Sequence, residues 1–317
     1  MDLLHAALEK VGKSAEELRA LLGSLLDDGS AYLVGSLAAS YGNRCSDIDI
    51  HIFDDGGEGR GAPMMYFLDQ TIVDVVQFDR MEVDQLVASL PSDWVPLGGG
   101  HCALGPAKSR KAQIRLGRWS TAIPLDDLPP LMPVETKDAV VAANARGALE
   151  EMICTAAIAH LIDARSDASA VRGGAWRRAA SSMLELVVRS RGEVFVGAKW
   201  LWAKAAKVGL PREVIGRIDS VRVSDEFRRA AAELRVPDLD PFALVHVKAN
   251  PSVEEFELNH RGFMLVNDQH LLDRDLMTDG TLAEEMDRIG PSAVLTALGI
   301  GATTLAVDDT TLDRTLR

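Results

Sequence analysis

The chain has 317 residues, of which 47% are hydrophobic and 26% charged, and its formal net charge is −13. This composition is that of a globular protein with two or three packed cores, and the acidic balance argues against nucleic-acid binding, which depends on neutralising phosphates with Lys and Arg. The three cysteines have no metal-ligand spacing, no basic segment precedes a long apolar run, and no apolar stretch is long enough to cross a membrane. We therefore expect a cytoplasmic protein without membrane or nucleic-acid partners.

The first elements in chain order are predicted to be helices and then strands. Residues 2–28 have a helical pattern, with Ser14 and Glu17 spaced as in a capping box. The block from 31 to about 120 is predicted to contain the strands. The segment 79–86 is predicted to form a capped helix after one of them.

The most informative feature of the strand-rich block is a Gly-Ser pair followed by three carboxylates. Gly35 and Ser36 lie where a predicted strand passes into a helix, so the backbone and a hydroxyl there can approach a phosphate. Asp47 and Asp49 alternate along the next strand and so present their carboxylates on one face. Asp74 lies in a further apolar run, and pairing of these two strands would bring three like charges together. Divalent cations neutralise such a cluster, and hard oxygen ligands suit Mg²⁺.

Together these residues resemble the nucleotidyltransferase superfamily related to DNA polymerase beta, over roughly residues 30–80. Its signature is Gly-Ser, a short spacer, Asp-x-Asp between hydrophobic residues, and a third Asp on a neighbouring strand. The run Ser46-Asp47-Ile48-Asp49 is similar to that of the small, antibiotic-modifying members, which often have glycine where this chain has Ser40. Taken singly, a Gly-Ser or an Asp-x-Asp is more often an ordinary turn or a solvated strand end. The agreement of five positions favours the site.

The resemblance implies an α+β fold with a nucleotidyltransferase-type mixed β-sheet flanked by helices. It implies that Asp47, Asp49 and Asp74 are catalytic and hold two Mg²⁺ ions, and that Gly35, Ser36 and Ser46 bind the nucleotide.

The implied reaction transfers an NMP group from an NTP, ATP being favoured, to a hydroxyl or another nucleophile of an acceptor, with release of pyrophosphate. The acidic surface favours a cationic small molecule as the acceptor. Two alternatives remain open, namely a protein acceptor that becomes nucleotidylated and a non-catalytic nucleotide-binding regulatory protein.

Three domains are predicted: a catalytic domain over 1–130, a helical domain over 131–236, and a small accessory α+β module over 237–317 that binds a partner or forms a homodimer contact. Prolines between 124 and 133 mark the first boundary.

The helical array is predicted at 137–164, 170–191, 196–208 and 212–235. In the last part of the chain we predict a hairpin over 256–266 and a helix over 284–298.

Two groups of cations could contact the phosphates. By the resemblance, Lys199 of the helical domain is the candidate that reaches the nucleotide. The basic stretch 108–118 either meets the triphosphate or forms a solvated helix face, and the solvated face is the favoured interpretation.

Overall fold

The computed structural model describes residues 3–27, 29–54, 63–250, 254–258, 261–266, 270–273, 280–299 and 303–317. Helices and a mixed sheet confirm the α+β class. Within the described part of the chain, no helix combines the length and the apolar content that crossing a membrane would require.

The chain begins with two short helices, α1 (Leu3–Glu9) and α2 (Ala15–Leu22). The predicted capping box is confirmed: the Ser14 hydroxyl accepts from the Glu17 N–H at 3.2 Å, and the Glu17 carboxylate accepts from the Ser14 N–H at 2.8 Å. These bonds satisfy amide groups that a helix start would otherwise leave without partners.

A five-stranded sheet follows. Its strands are β1 (Ser30–Val34), β2 (Ile48–Asp54), β3 (Met64–Leu68), β4 (Thr71–Asp79) and β7 (Ile123–Pro124). Their order across the sheet is β3-β4-β2-β1-β7. Strands β2 and β4 are parallel, and the other neighbouring pairs are antiparallel. A single turn of helix, α3 (Gly35–Ala38), joins β1 to the loop before β2.

The two faces of this sheet are covered by different helices. On one face, buried aliphatic side chains such as Leu33, Ile50 and Val73 pack with α1 and α2 in a common core. The opposite face packs against α4 (Arg80–Ala88) and α5 (Arg110–Ser120) through a second core that includes Phe53 and Trp119. Helix α4 has the predicted Asp cap, because the Asp79 carboxylate accepts from the Met81 N–H.

The helical array is close to its prediction. Its helices are α6 (Lys137–Arg165), α7 (Ser169–Ser190), α8 (Leu201–Lys207), α9 (Arg212–Asp219) and α10 (Ser224–Glu233). Two predicted helices differ from the structure. The third starts later, after a 3₁₀ turn (Ala198–Trp200), because Gly197 has a positive φ of 142°. The fourth is broken, since Val223 is extended with φ −141° and ψ 160°.

The last part of the chain adds short strands and helices. They are α11 (Pro241–Leu244), β8 (Val245–Ala249), β9 (Glu254–Leu258), β10 (Arg261–Val266), β11 (His270–Asp273), β12 (Gly280–Thr281), α12 (Leu282–Gly299), β13 (Thr303–Val307) and α13 (Asp309–Leu316). Of these, α11, α12, β8 and β13 contact α6. Antiparallel pairing of β9 with β10 confirms the predicted hairpin. The predicted helix over 284–298 is also confirmed, but it kinks at Gly290, whose φ is 80°, next to Pro291.

One core joins the helical array to this last part. It contains Trp176 of α7, Val245 of β8 and Leu312 of α13, together with Leu97 and Cys102 of a hairpin formed by β5 (Trp94–Leu97) and β6 (Gly100–Ala103). Residues from all three predicted domains therefore contribute to a shared core.

A buried cation fixes α13 on α6. The Arg146 side chain is 1% exposed and pairs with Glu150 at 3.0 Å and with Asp313 at 2.6 Å, as well as with Asp309 at 2.5 Å. Burial of this guanidinium is tolerated because three carboxylates surround it.

Candidate active site

The pairing of β2 with β4 brings two of the predicted carboxylates side by side. Asp49 and Asp74 are direct partners in the parallel register, so their side chains emerge on the same face of the sheet. Asp47 lies two residues before Asp49, just ahead of β2, and is exposed. Both Asp49 and Asp74 are half-buried. The three predicted acids therefore lie near the start of β2, with Asp49 and Asp74 on the same face of the sheet.

The Gly-Ser turn lies directly beside Asp49. Val34, the last residue of β1, pairs with Asp49 across the antiparallel register. Gly35 follows with a φ of +74°, a left-handed conformation that favours glycine. A Cβ at this position would overlap the Oδ2 atom of Asp49 and lie 2.9 Å from its Cγ. Two features therefore require glycine at position 35: the left-handed backbone conformation and the close approach of the Asp49 carboxylate.

Ser36 and Ser46 are both near this turn but have different environments. The Ser36 carbonyl accepts from the N–H groups of Tyr41 and Gly42, both at 2.8 Å, while its half-buried hydroxyl has no partner among the described residues. The Ser46 hydroxyl is buried and accepts from the Asn43 N–H at 3.0 Å. Ser46 therefore stabilises the loop that leads into Asp47, and Ser36 has the free hydroxyl.

The charges of the three acids are only partly compensated. Burial raises the pKa of the Asp49 carboxyl above its ordinary value, and the nearby Arg118 guanidinium opposes this shift. The negative charges of Asp74 and Asp47 raise the pKa further. Arg118 Nη1 lies 3.6 Å from Asp49 Oδ1. Among the residues the structure describes, the carboxylates of Asp47 and Asp74 have no hydrogen-bond or ion-pair partner.

The same three acids do not form a preassembled cation cage. In the described ranges, no three His, Cys, Asp or Glu side chains are close enough together to hold a metal ion as they stand. The acids interact through their charges, and one of them contacts a guanidinium.

A buried histidine extends the row of Asp47 and Asp49 along β2. The His51 Nδ1 atom accepts from the Trp119 indole N–H at 2.9 Å, which leaves the proton on Nε2, an atom that is buried and has no partner in the described part of the chain. Burial lowers the pKa of His51 to about 3, and the charges of Arg118 and Arg115 contribute in the same direction. His51 is therefore neutral near pH 7.

The basic stretch is divided between two roles. Arg110 pairs with Glu151 at 3.3 Å and is exposed, as the solvated-face interpretation expects. Arg115 and Arg118 instead face the sheet. The Arg115 guanidinium lies 4.9 Å from the centre of the Phe78 ring, and Arg118 reaches Asp49. The solvated-face prediction therefore holds for only part of this helix.

Lys199 lies in the 3₁₀ turn before α8 and is exposed. Its Nζ is 5.4 Å from the centre of the Trp200 ring, and Trp200 stacks on Tyr41 with ring centres 6.1 Å apart. Tyr41 also donates its hydroxyl to the buried carboxylate of Glu193. Trp200 therefore packs on Tyr41, whose backbone N–H donates to the Ser36 carbonyl, and Lys199 contacts Trp200.

Two residues of this region, His51 and Tyr41, are absent from the sequence prediction, and Arg118 is included there only as one cation of the basic stretch. His51 continues the alternation of Asp47 and Asp49, which is a weak signal, and Arg118 lies in the basic stretch without any feature that singles it out. Tyr41 has no sequence signal at all, because its partners Glu193 and Trp200 are distant in the chain.

No protein-family model matches the chain, and no curated protein matches it significantly. The arrangement of its own residues is what supports a function.

Proposed function

We propose that the protein is a Mg²⁺-dependent nucleotidyltransferase of the superfamily related to DNA polymerase beta. It would transfer an NMP group from an NTP, ATP being favoured, to a nucleophile of a small-molecule acceptor and release pyrophosphate. The observation that carries this proposal is the placement of Asp49 opposite Asp74 in parallel strands, with the Gly35 turn packed against the Asp49 carboxylate.

The chemistry of the donor set suits divalent cations, and binding would draw the carboxylates closer together than they stand without a metal ion. Asp47, Asp49 and Asp74 supply hard oxygen ligands, and the carboxylates of Asp47 and Asp74 are without partners among the described residues. The raised pKa of the Asp49 carboxyl reflects repulsion from its two acidic neighbours in addition to burial, and a cation would relieve that repulsion. When bound, the metal ions would neutralise the triphosphate and lower the pKa of the acceptor hydroxyl.

The nucleotide would be held by the turn and by nearby cations. The backbone of the Gly35-Ser36 turn can approach phosphate oxygens without a Cβ in the way, and the Ser36 hydroxyl is free to donate. Arg118, which contacts Asp49, is placed to pair with a phosphate oxygen, and Lys199, beside the Trp200 ring, would be a second cation for the phosphates.

In the proposed reaction the acceptor oxygen attacks the α-phosphorus, a new P–O bond forms, and the bond to the bridging oxygen of the β-phosphate breaks. Pyrophosphate leaves with that bonding electron pair, and the Asp74 carboxylate takes the acceptor proton. The contribution of the protein is positioning together with charge neutralisation, since phosphoryl transfer requires little covalent work from side chains.

The acceptor would be a cationic molecule with an apolar part. The net charge of −13 attracts cations. On the edge strand β3, Met65 and Phe67 are 60% and 64% exposed, and Met65 is the register partner of Asp74. These two apolar side chains therefore extend from the carboxylates along the same face and offer a contact surface for the acceptor.

A pyrophosphate-release screen of the four NTPs against cationic and hydroxylated acceptors tests this function. We expect Mg²⁺-dependent release with the wild type, loss of release in Asp49→Asn and Asp74→Asn, and normal release in Asp84→Asn. Asp84 is an exposed acid on α4 and gives the same change in charge.

Release that persists in Asp49→Asn would contradict the proposal. In a parallel incubation of cell lysate with α-labelled ATP, transfer of the label to protein bands would instead identify a protein acceptor at the same site.

A further inference from the structure

A cavity lies between the strand-rich part and the helical array. It has a volume of about 520 Å³, within the range of small-molecule sites. Its walls come from the end of α5, the segment 130–140, the loop 191–194 and the end of α8. We call it the linker pocket. None of the three carboxylates of the proposed active site lines it.

The lining of the linker pocket is apolar in one part and cationic in another. Met132, Val140, Val194 and Val208 provide aliphatic surface. The charged side chains of the lining are three cations and one carboxylate, namely Lys137, Arg191, Lys207 and Glu193. This excess of positive charge is notable because the whole chain is strongly acidic.

Two of these cations lack a counter-ion. Lys207 is neutralised by Glu193, with Nζ 3.0 Å from the carboxylate. The Arg191 side chain donates from Nε to the Gly98 carbonyl at 2.8 Å, but across the described residues no carboxylate lies within ion-pair distance of Arg191 or of Lys137. Burial lowers the pKa of Arg191, and the charge of Arg235 lowers it further, so an anion at this point would relieve an unfavourable environment.

We propose that the linker pocket binds a small organic anion with an apolar body, whose carboxylate, sulfonate or phosphate group pairs with Lys137 and Arg191. The apolar body would lie against Met132, Val140 and Val208 and would be removed from water there. A purely inorganic anion would leave the aliphatic wall uncovered, and a neutral apolar molecule would leave both cations unpaired. The pocket shares Glu193 with the side chains around Tyr41, but the proposal does not rest on the proposed nucleotidyl transfer.

Fluorescence titration with 8-anilinonaphthalene-1-sulfonate tests the proposal, because this probe combines an aromatic body with one negative charge. We expect saturable binding at one site, a dissociation constant weakened about tenfold or more in Lys137→Ala/Arg191→Gln, and displacement by decanoate. The variant Lys248→Ala, which removes an exposed lysine on β8, should bind as the wild type does.

Two further measurements keep the test decisive. Lys137→Ala alone removes an exposed ammonium that has no described partner, so it should weaken binding without affecting folding, as checked by circular dichroism. The uncharged analogue N-phenyl-1-naphthylamine should bind more weakly than the sulfonate. The proposal is overturned by absence of saturable binding, by an unchanged dissociation constant in Lys137→Ala, or by equal affinity for the uncharged analogue.

Discussion

Replacing Gly35 with alanine tests the close packing of the turn against Asp49. The new side chain would have to adopt a φ of +74°, which costs about 1–2 kcal/mol for a residue with a Cβ. It would also overlap the Asp49 carboxylate, and relieving such an overlap in a packed site costs about 1–3 kcal/mol. We therefore expect Gly35→Ala to lower the free energy of unfolding by about 2–5 kcal/mol.

Urea denaturation measures this change, and Gly12 provides a matched control. Gly12 also has a positive φ, of 68°, but a Cβ there would meet no atom within 4 Å. Gly12→Ala should therefore show only the backbone cost of about 1–2 kcal/mol. Because Asp49→Ala removes the overlapping atoms, Gly35→Ala should be less destabilising in that background than in the wild type.

Two results would refute this reasoning. If Gly35→Ala lowers the free energy of unfolding no more than Gly12→Ala does, the Asp49 carboxylate does not restrict the turn. If the effects of Gly35→Ala and Asp49→Ala on the free energy of unfolding are additive, the two residues are not in contact.

The remaining predictions concern pH, buried charge and nucleotide binding. His51 is neutral in the folded protein because its pKa is lowered to about 3, so its contribution to stability is complete above about pH 6.5 and falls as the pH drops toward 3. Denaturation at several pH values gives the slope of the free energy of unfolding against pH. Between pH 5 and 6 this slope should be smaller in His51→Gln than in the wild type, by up to about 1.4 kcal/mol per pH unit. Arg146→Met should lower the free energy of unfolding by about 3–5 kcal/mol, because three carboxylates around a buried cation lose their partner. Lys199→Ala should weaken Mg²⁺-ATP binding in calorimetry while leaving the unfolding midpoint unchanged, since the side chain is exposed.

Each of these has a contradicting outcome. An equal slope in wild type and His51→Gln would mean that the histidine titrates normally in the folded state. The exposed pair of Arg177 with Asp219 serves as the control for the Arg146 prediction. Arg177→Met should lower the free energy of unfolding by less than about 1 kcal/mol. If Arg146→Met lowers the free energy of unfolding no more than Arg177→Met does, the argument from the buried charge is wrong. Unchanged nucleotide affinity in Lys199→Ala would remove that lysine from the proposed site.

The sequence was most informative where local rules decide the structure. The Ser14 capping box, the Asp79 cap and the long helices of the array follow from spacing and side-chain chemistry within a few residues. The mixed sheet was expected through the resemblance, and the apolar runs around Asp49 and Asp74 are indeed strands of that sheet.

Such local rules do not predict contacts between segments that are far apart in the sequence. The register that sets Asp49 opposite Asp74 depends on how two strands align, and a shift by one residue would place the carboxylates on opposite faces. Arg118 comes to Asp49 because helix α5 packs on the sheet through Leu116 and Trp119, whose partners lie elsewhere in the chain. The linker pocket likewise combines segments that are far apart in sequence.

The most direct test of the central claim is a Mn²⁺ titration followed by electron paramagnetic resonance, with a non-hydrolysable ATP analogue present and absent. Mn²⁺ takes the place of Mg²⁺ at oxygen ligands. For the wild type we predict saturable Mn²⁺ binding that tightens with the nucleotide analogue, a weakening of about tenfold or more in Asp49→Asn and Asp74→Asn, and no change in Asp84→Asn. Equal Mn²⁺ affinity in the wild type and in both active-site variants would contradict the claim that these carboxylates hold the metal ions.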